Sequence, residues 1–264
     1  MSRLAILGVD VGGTSIKAAL VSEDGALHSK RLEVPTPQPA TPRAVAQALQ
    51  TIITGFRVDG TVGIAFPAPI INSIVMSPAN VADGWIGLAG EGFLETVLRR
   101  PVKLINDADA AGLAEGQLGA ARGVGGLVLM LTLGTGIGSA ILHDGHLIPN
   151  TELGLTPFRE SDIEQYAAPS VMRRGGIGES EWTKRFSEVI TLFERLLRPD
   201  LIIVSGGITA RWSDIANFVK CRVPLVPAHF QDDAGIIGAS IFARSGGLTK
   251  PQLPQRLTIS EPGY

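Results

Sequence analysis

Cysteine is almost missing from this chain, and its scarcity excludes two kinds of structure at once. The 264 residues include a single cysteine, Cys221, so neither an internal disulfide framework nor a four-thiolate zinc site can be built. A chain without disulfides is typical of a reducing compartment, and we expect a cytoplasmic protein. The formal net charge of −2 provides no general attraction to nucleic acid or to an acidic membrane. Any polyanion must therefore be held by a local group of residues.

A hydrophobic leader and a membrane-length apolar run are also lacking. The first strand is predicted to begin near Leu4 with no basic segment before it, so we expect neither a signal peptide nor a membrane span. Two nucleotide-binding signatures are missing as well. There is no Gly-x-x-x-x-Gly-Lys-Ser/Thr run, and the glycines from Gly134 onward lack the dinucleotide-binding spacing. A phosphate site in this chain must be built in another way.

What the chain does contain, near its start, is an apolar run interrupted by one acid and a Gly-Gly-Thr sequence. This pattern predicts two strands joined by a tight turn whose backbone can approach an anion. The run brings a carboxylate, backbone donors, a hydroxyl and an ammonium group close together, from Asp10, Gly12, Gly13, Thr14 and Lys17. Such a set is typical of a phosphate site, although Gly-rich turns also close many ordinary hairpins.

The same pattern returns in the second half of the chain. Residues 127–148 repeat the order strand, Gly/Thr turn, strand, Asp-Gly turn, strand that occurs in residues 4–27. A third Gly-rich turn, at Gly206 and Gly207, follows another predicted strand. An internal duplication of this kind predicts two similar α/β domains, with a cleft between them and three loops of backbone donors around it.

Strands alternate with helices in both halves, which predicts parallel strands joined by right-handed crossovers. Hydrophobic spacing predicts four of these helices, at residues 43–56, 92–100, 182–197 and from Asp232 or Asp233 to about 243. We expect an N-terminal α/β domain completed by the last helix, a C-terminal α/β domain, and a loop-like tail. These correspond to residues 1–107 together with 231–246, residues 108–230, and residues 247–264.

Asp107 is the strongest candidate for chemistry. It directly follows the predicted strand at residues 102–105 and opens an Ala-rich helix. A residue at such a strand-to-helix junction points toward the ligand side of an open α/β sheet. A carboxylate there can accept the proton of a hydroxyl that attacks a phosphoryl group. The alternative is that Asp107 only caps the helix, as Asp commonly does.

Two further acids need partners. Asp109 is predicted to cap the same helix or to face solvent. Asp10 lies in a strand among apolar residues, where an unpaired carboxylate is unfavourable, so we expect it to meet Lys17 or a metal ion, directly or through water. We expect Mg²⁺ because the negative charge of a phosphoryl donor must be neutralised in the transition state.

Taken together, five motifs resemble those of the ROK sugar kinases of the actin/hexokinase superfamily, and most of all its polyphosphate glucokinase branch. The motifs are Asp10-Val-Gly-Gly-Thr-x-x-Lys17, Asn106-Asp107-Ala-Asp-Ala-Ala, Leu133-Gly-Thr-Gly-Ile-Gly138, Asn150-Thr-Glu-Leu-Gly154 and Val204-Ser-Gly-Gly207. The resemblance implies two duplicated, ribonuclease H-like α/β domains around a central cleft. It also implies phosphoryl transfer from polyphosphate or ATP to glucose or a related hexose, and a homodimer.

The resemblance also assigns roles to individual residues. Asp107 is the expected general base, and Asp10 is expected to hold Mg²⁺ through water. The phosphate and donor loops are expected to use Gly12, Gly13, Thr14, Lys17, Gly134, Thr135, Gly136, Gly138, Gly206 and Gly207. The sugar is expected to bind Asn80, Asn106, Asp107, Glu152 and Glu164. Amides and carboxylates suit this purpose, since each takes several hydrogen bonds from a polyhydroxylated ligand.

The chain departs from the family pattern at Leu155, where most ROK sugar kinases have a histidine. The Cys-rich zinc motif is also missing, as in the polyphosphate branch, and no zinc is expected. Losing the histidine removes a polar contact from the sugar pocket and adds apolar bulk. Two alternatives therefore stay open: a sugar-binding sensor that has lost catalysis, and a kinase for a substrate other than glucose.

The expected partners are small molecules. A long polyphosphate needs a basic track, for which the candidates are Arg122, Arg173, Arg174, Lys184 and Arg185, although such residues also form solvated helix faces. ROK regulators of transcription carry an N-terminal DNA-binding domain, whereas this sequence starts at its first strand. We therefore expect no nucleic-acid partner and no membrane.

Overall fold

Two five-stranded sheets form the framework of the protein in a computed structural model, which describes residues 5–56, 59–77 and 81–247. In chain order the strands are β1 (Ile6–Val11), β2 (Ser15–Val21), β3 (Leu32–Pro35), β4 (Val62–Phe66), β5 (Ile70–Ile71), β6 (Ile74–Val75), β7 (Val102–Asn106), β8 (Leu127–Leu133), β9 (Ile137–His143), β10 (His146–Ile148), β11 (Pro157–Phe158), β12 (Ser161–Asp162), β13 (Leu201–Ser205) and β14 (Leu225–Pro227). Strands β5 and β6, and likewise β11 and β12, pair as small hairpins outside the two large sheets.

The two large sheets have the same topology. Their strand orders are β3-β2-β1-β4-β7 and β10-β9-β8-β13-β14. In each sheet three consecutive strands form an antiparallel meander, and two later strands add in parallel beside the first strand of that meander. The sequence-based expectation of a duplicated α/β fold is confirmed.

The helices are α1 (Pro42–Thr54), α2 (Gly90–Leu98), α3 (Asp107–Gln117), α4 (Ile163–Ala167), α5 (Ser170–Gly175), α6 (Glu179–Leu197), α7 (Trp212–Ile215) and α8 (Ala234–Arg244). Thr41 caps α1, because its Oγ1 accepts a hydrogen bond of 3.3 Å from the Ala44 N–H. Helix α6 buries Trp182, Phe186 and Phe193 against the second sheet. Among the described residues, no helix is both long and apolar enough to cross a bilayer.

Helices α3 and α8 pack side by side at the centre of the molecule. Helix α8 lies on β1 and β4, while α3 also contacts β8 and β9 of the second sheet. Glycine permits both close approaches. A Cβ at Gly8 would lie 2.0 Å from the carbonyl oxygen of Ile236, and one at Gly238 would lie 1.7 Å from that of Ala110. The last helix is thus bound tightly to the first sheet.

Some elements differ from the sequence-based expectation. Strand β3 begins only at Leu32, and before it Ser29 Oγ accepts the Leu20 N–H at 3.0 Å in place of a backbone carbonyl. Helix α6 begins three residues before the predicted start at Trp182. Asn80 and nearly all of the predicted loop-like tail, residues 248–264, lie outside the described residues.

Candidate active site

A cleft of about 310 Å³ opens where the carboxyl ends of β4, β7, β8 and β13 meet, so both sheets contribute to it. Most of the residues predicted for the site line this one cavity. They are Asn106, Asp107, Gly134, Thr135, Gly136, Gly138, Glu152, Glu164, Gly206 and Gly207. Leu155 and the segment Pro67, Ala68 and Pro69 lie in its wall as well. The duplicated fold thus brings these ten predicted residues together around a single cleft.

Asp107 is the first residue of α3 and faces the cleft. Its Oδ1 accepts the Ala108 N–H at 2.8 Å. Burial raises the pKa of Asp107 to about 6, and the charge of Glu152 contributes to the increase. A carboxylate with this pKa is ionised near neutral pH and is more basic than an ordinary Asp, which suits the acceptance of a proton.

Asn106, rather than Asp107, caps α3. Its Oδ1 accepts the Asp109 N–H at 3.0 Å, and the residue is buried. The alternative prediction, that Asp107 serves only as the helix cap, is not supported, because the side chain of Asn106 fills that role. The Oδ1 of Asn106 accepts this one bond within the helix, and the residue still has an amide nitrogen that could donate to a ligand in the cleft.

The prediction for Asp109 is wrong. Asp109 is 1% exposed and does not face solvent. It does not cap the helix either, because its Oδ2 accepts the Asn150 N–H at 2.7 Å. Asn150 in turn exchanges two hydrogen bonds with the backbone of Ile70, at 2.7 and 3.0 Å. Tertiary packing has turned this acid inward, where it connects α3 to the segment after β10 and to β5.

The first glycine loop, residues 12–14, is the turn between β1 and β2. Its carbonyl groups are held by the segment after β3: Thr36 donates to the carbonyls of Gly12 and Thr14 at 2.6 and 3.0 Å, and Gln38 donates to that of Gly13 at 3.2 Å. Neither this loop nor Lys17 is among the residues that line the described cleft. No local feature of the sequence indicates that Thr36 and Gln38 support this loop.

Asp10 lies beneath this loop and opposite Lys17 in the β1–β2 pair. A Cβ at Gly235, in the first turn of α8, would lie 2.8 Å from the Asp10 carboxyl carbon. Burial, followed by the charge of Asp107, raises the pKa of Asp10 to about 7, while Lys17 lowers it. The two aspartates are therefore close enough to repel each other, and a divalent cation would relieve that repulsion.

The donor set near Asp10 fits magnesium. In the part of the chain that the structure describes, no group of three or more His, Cys, Asp or Glu side chains could hold a metal ion. Mg²⁺ does not require such a group, because one or two carboxylates commonly hold it together with water and substrate phosphates. Asp10 offers such a carboxylate.

The second glycine loop, residues 134–136, is fixed by α4 and α5. Glu164 Oε2 accepts the Ile137 N–H at 3.0 Å, and Ser170 Oγ donates to the Thr135 carbonyl at 2.6 Å. Arg174 donates in turn to Ser170 Oγ. Glu164 thus supports the loop as well as lining the cleft. No sequence signal identified Ser170, which approaches Thr135 only through the fold.

The third glycine loop begins at Gly206, which follows β13 with a φ of +95°. A Cβ at this position would lie 2.1 Å from the carbonyl oxygen of Leu133, so the residue must be glycine for two reasons. Thr209 Oγ1 donates to the Gly206 carbonyl at 2.8 Å. This loop approaches the end of β8 closely and closes the cleft from that side.

Glu152 and Leu155 line the cleft at either end of a short 3₁₀ turn, Leu153–Leu155. Partial burial and, to a smaller extent, the charge of Glu164 raise the pKa of Glu152. Glu152, Glu164 and Leu155 therefore line the same cavity as Asp107. Leu155 occupies the position where the resemblance led us to expect histidine.

Comparisons with known proteins agree with this geometry. The sequence profile of the ROK family matches residues 6–154, more than half of the chain. A polyphosphate glucokinase of Mycobacterium tuberculosis (strain CDC 1551 / Oshkosh) is 41% identical over 236 residues, which cover 89% of each chain. A polyphosphate glucokinase of Mycobacterium leprae is 40% identical over 91% of this chain and 75% of its own length.

Solved structures have the same fold. The crystal structure of an inorganic polyphosphate/ATP-glucomannokinase from Arthrobacter sp. strain KM is similar to this chain with a TM-score of 0.89 and 40% identity, over 92% of this chain and 99% of that one. A ROK family glucokinase from Streptomyces griseus, solved with glucose and AMPPNP, has a TM-score of 0.78 at 22% identity, over 92% and 100% of the two chains. This chain is a member of the ROK family, with the actin/hexokinase fold of its sugar kinases.

Proposed function

We propose that the protein is a sugar kinase that transfers a phosphoryl group from polyphosphate or ATP to a hydroxyl group of glucose or a related hexose. The observation that carries the proposal is the position of Asp107, in a cleft lined by two glycine loops and further acids. The relatives at about 40% identity are polyphosphate glucokinases and a polyphosphate/ATP-glucomannokinase, which supports the same reaction and both donors.

In the proposed reaction Asp107 accepts the proton of the attacking hydroxyl. The hydroxyl oxygen forms a bond to the terminal phosphorus of the donor, and the bond from that phosphorus to its bridging oxygen breaks. The shortened donor leaves with the electron pair of that bond. Asn106, Glu152 and Glu164 would orient the sugar, since their amide and carboxylate groups face the cleft. Asn80 remains part of the proposed sugar site.

The loops would bind the donor through backbone N–H groups. The second and third loops line the cleft, and the first loop lies beside Asp10 with its carbonyl groups already bonded. Lys17 would add a positive charge next to the first loop. Mg²⁺, held by Asp10 through water, would neutralise charge on the donor phosphates. The residues present fit that ion, because Asp10 provides a carboxylate directly before the first loop.

The proposal also covers the division into lobes, the oligomeric state, the cellular location and the absence of zinc. We assign residues 1–107 with 231–246 to one lobe and residues 108–230 to the other, and the packing of α8 on β1 and β4 supports the first assignment. A homodimer, a cytoplasmic location and independence from zinc are proposed on the resemblance and on the single cysteine. Light scattering and metal analysis of the purified protein would test the dimer and the absence of zinc.

A coupled assay tests the proposed activity. Formation of hexose phosphate is measured with glucose and mannose as acceptors and with polyphosphate or ATP as donor, at matched Mg²⁺. Turnover with at least one pair is expected. A protein that binds a sugar without turnover with either donor would be the sensor instead, and calorimetry on the same samples separates these outcomes.

A further inference from the structure

Leu155 is a large apolar side chain in the polar wall of the cleft. It is 54% exposed, and it lines the same cavity as Asp107, Glu152 and Glu164. Single exposed leucines on an open surface need no explanation. A leucine inside a cleft lined by carboxylates and amides affects ligand binding, because every group there contacts the ligand or the water that the ligand displaces.

The backbone holds Leu155 in this position. Its N–H donates to the Glu152 carbonyl at 3.1 Å, and the Thr156 N–H donates to the Leu153 carbonyl at 3.1 Å. The turn also presses against β9, since a Cβ at Gly154 would lie 2.1 Å from the carbonyl oxygen of Ile137. These contacts fix the backbone of Leu155 at the wall of the cleft.

The same turn places Leu155 beside Glu152. Glu152 directly precedes the 3₁₀ turn and Leu155 ends it, and both residues line the same cavity. A ligand hydroxyl bound by Glu152 therefore has hydrocarbon next to it. A second hydroxyl against Leu155 would lose its hydrogen bonds to water without replacement, whereas a methyl or methylene group would gain from contact.

We propose that Leu155 makes the cleft selective for a hexose that carries a hydrocarbon group beside the hydroxyl bound by Glu152. That group is either a deoxy ring carbon or the methyl of an acylamino substituent. The inference rests on the proposed function, because it takes the acceptor to be a hexose bound at Glu152.

The test compares substrates across three forms of the protein: the parent, Leu155→His and Leu155→Ala. Values of kcat/KM are measured for glucose, the monodeoxyglucoses and the N-acetylhexosamines. The parent is expected to prefer at least one modified sugar over glucose by about tenfold or more, the scale of one hydrocarbon contact. Leu155→His is expected to shift the preference toward glucose, and Leu155→Ala to weaken it. Leu196→His, an equally drastic change at an exposed leucine of α6, should leave the preference unchanged.

Dissociation constants for the same sugars are measured by calorimetry on the same proteins. A parent that prefers glucose to every modified sugar, or a preference that Leu155→His leaves unchanged, overturns the inference. If Leu155→His does not fold, Leu155→Ala is compared with the parent instead, by the kcat/KM of each modified sugar relative to glucose. Failure of the proposed function gives a distinct result: sugars bind, the parent turns over none of them with either donor, and the ratios of dissociation constants still decide the role of Leu155. Absence of all sugar binding overturns both.

Discussion

At the scale of single residues, the proposed phosphoryl transfer depends most on Asp107. Replacing it by Asn keeps the shape of the side chain and removes the base. The variant Asp107→Asn is expected to lose about 10²- to 10⁴-fold in kcat, the usual contribution of a general base, while its dissociation constant for the sugar changes little. Steady-state kinetics and calorimetry check both values. Asp59→Asn, an exposed acid outside the cleft, is the control and should match the parent.

The same carboxyl group predicts a pH dependence. Burial raises the pKa of Asp107 to about 6, and only the ionised form can accept a proton. The rate is therefore expected to fall as pH is lowered through about 6 and to level off above it. Profiles of kcat/KM between pH 5 and 8, with donor and Mg²⁺ saturating, measure this. A rate that is flat across that range would show that Asp107 is not the base.

The positions of Asp107 and the glycine loops at strand ends and turns could be predicted from the sequence, because strand ends and turns are local features, while their roles stay predictions. The prediction failed for Asp109, which is buried through a bond to Asn150, 41 positions further along the chain. Thr36 and Ser170 were missed for the same reason. Their partners, Gly12 and Thr135, are distant in the sequence and meet them only in the folded chain.

At the scale of elements, Asp109 joins α3 to the segment after β10, and Asn150 extends the connection to β5. Burial raises the pKa of Asp109 to about 7, well above its value in the unfolded chain. Its contribution to stability is therefore fully present at low pH and is lost as pH rises through about 7. Asp109→Asn cannot titrate. The Tm of the variant minus that of the parent should become more positive from pH 5 to pH 8.

Thermal unfolding of both proteins across that range measures the difference. A difference in Tm that stays constant from pH 5 to pH 8 would show that folding does not raise the pKa of Asp109, because the carboxyl would then be ionised in the folded and the unfolded chain throughout that range. The bond that it accepts from the Asn150 N–H can be kept by the Asn side-chain oxygen, so the comparison isolates the charge.

The close packing of α3 against α8 allows a second prediction at this scale. A Cβ at Gly238 would lie 1.7 Å from the carbonyl oxygen of Ala110, which belongs to the backbone and cannot rotate away. Gly238→Ala is expected to destabilise the fold by about 3 kcal/mol, the upper end of the usual overpacking range. Denaturant unfolding measures it. The control is Gly92→Ala in α2, where no atom lies within 4 Å of the new Cβ and the helix should gain about 0.5–1 kcal/mol.

At the scale of the whole molecule, the duplicated architecture could be predicted because a hairpin, a glycine turn and a strand recur in the same order in both halves. The shared strand order of the two sheets confirms it. The last helix was expected to complete the N-terminal domain, but how closely its backbone approaches β1 and α3 could not be predicted, since no local signal at Gly8 or Gly238 indicates which backbone lies against it. The cleft follows from the duplication, because it opens where parallel strands of both sheets end.

The reaction proposed for this cleft is the transfer of a phosphoryl group to a hexose, with Asp107 as the base. The most direct measurement is ³¹P NMR of the purified protein with hexose, Mg²⁺ and either polyphosphate or ATP, run beside Asp107→Asn. With the parent, a phosphomonoester signal is expected to grow, and the substitution is expected to slow its growth at least about 100-fold. Equal rates for the two proteins, or no signal from the parent with either donor and any hexose it binds, would contradict the proposed reaction.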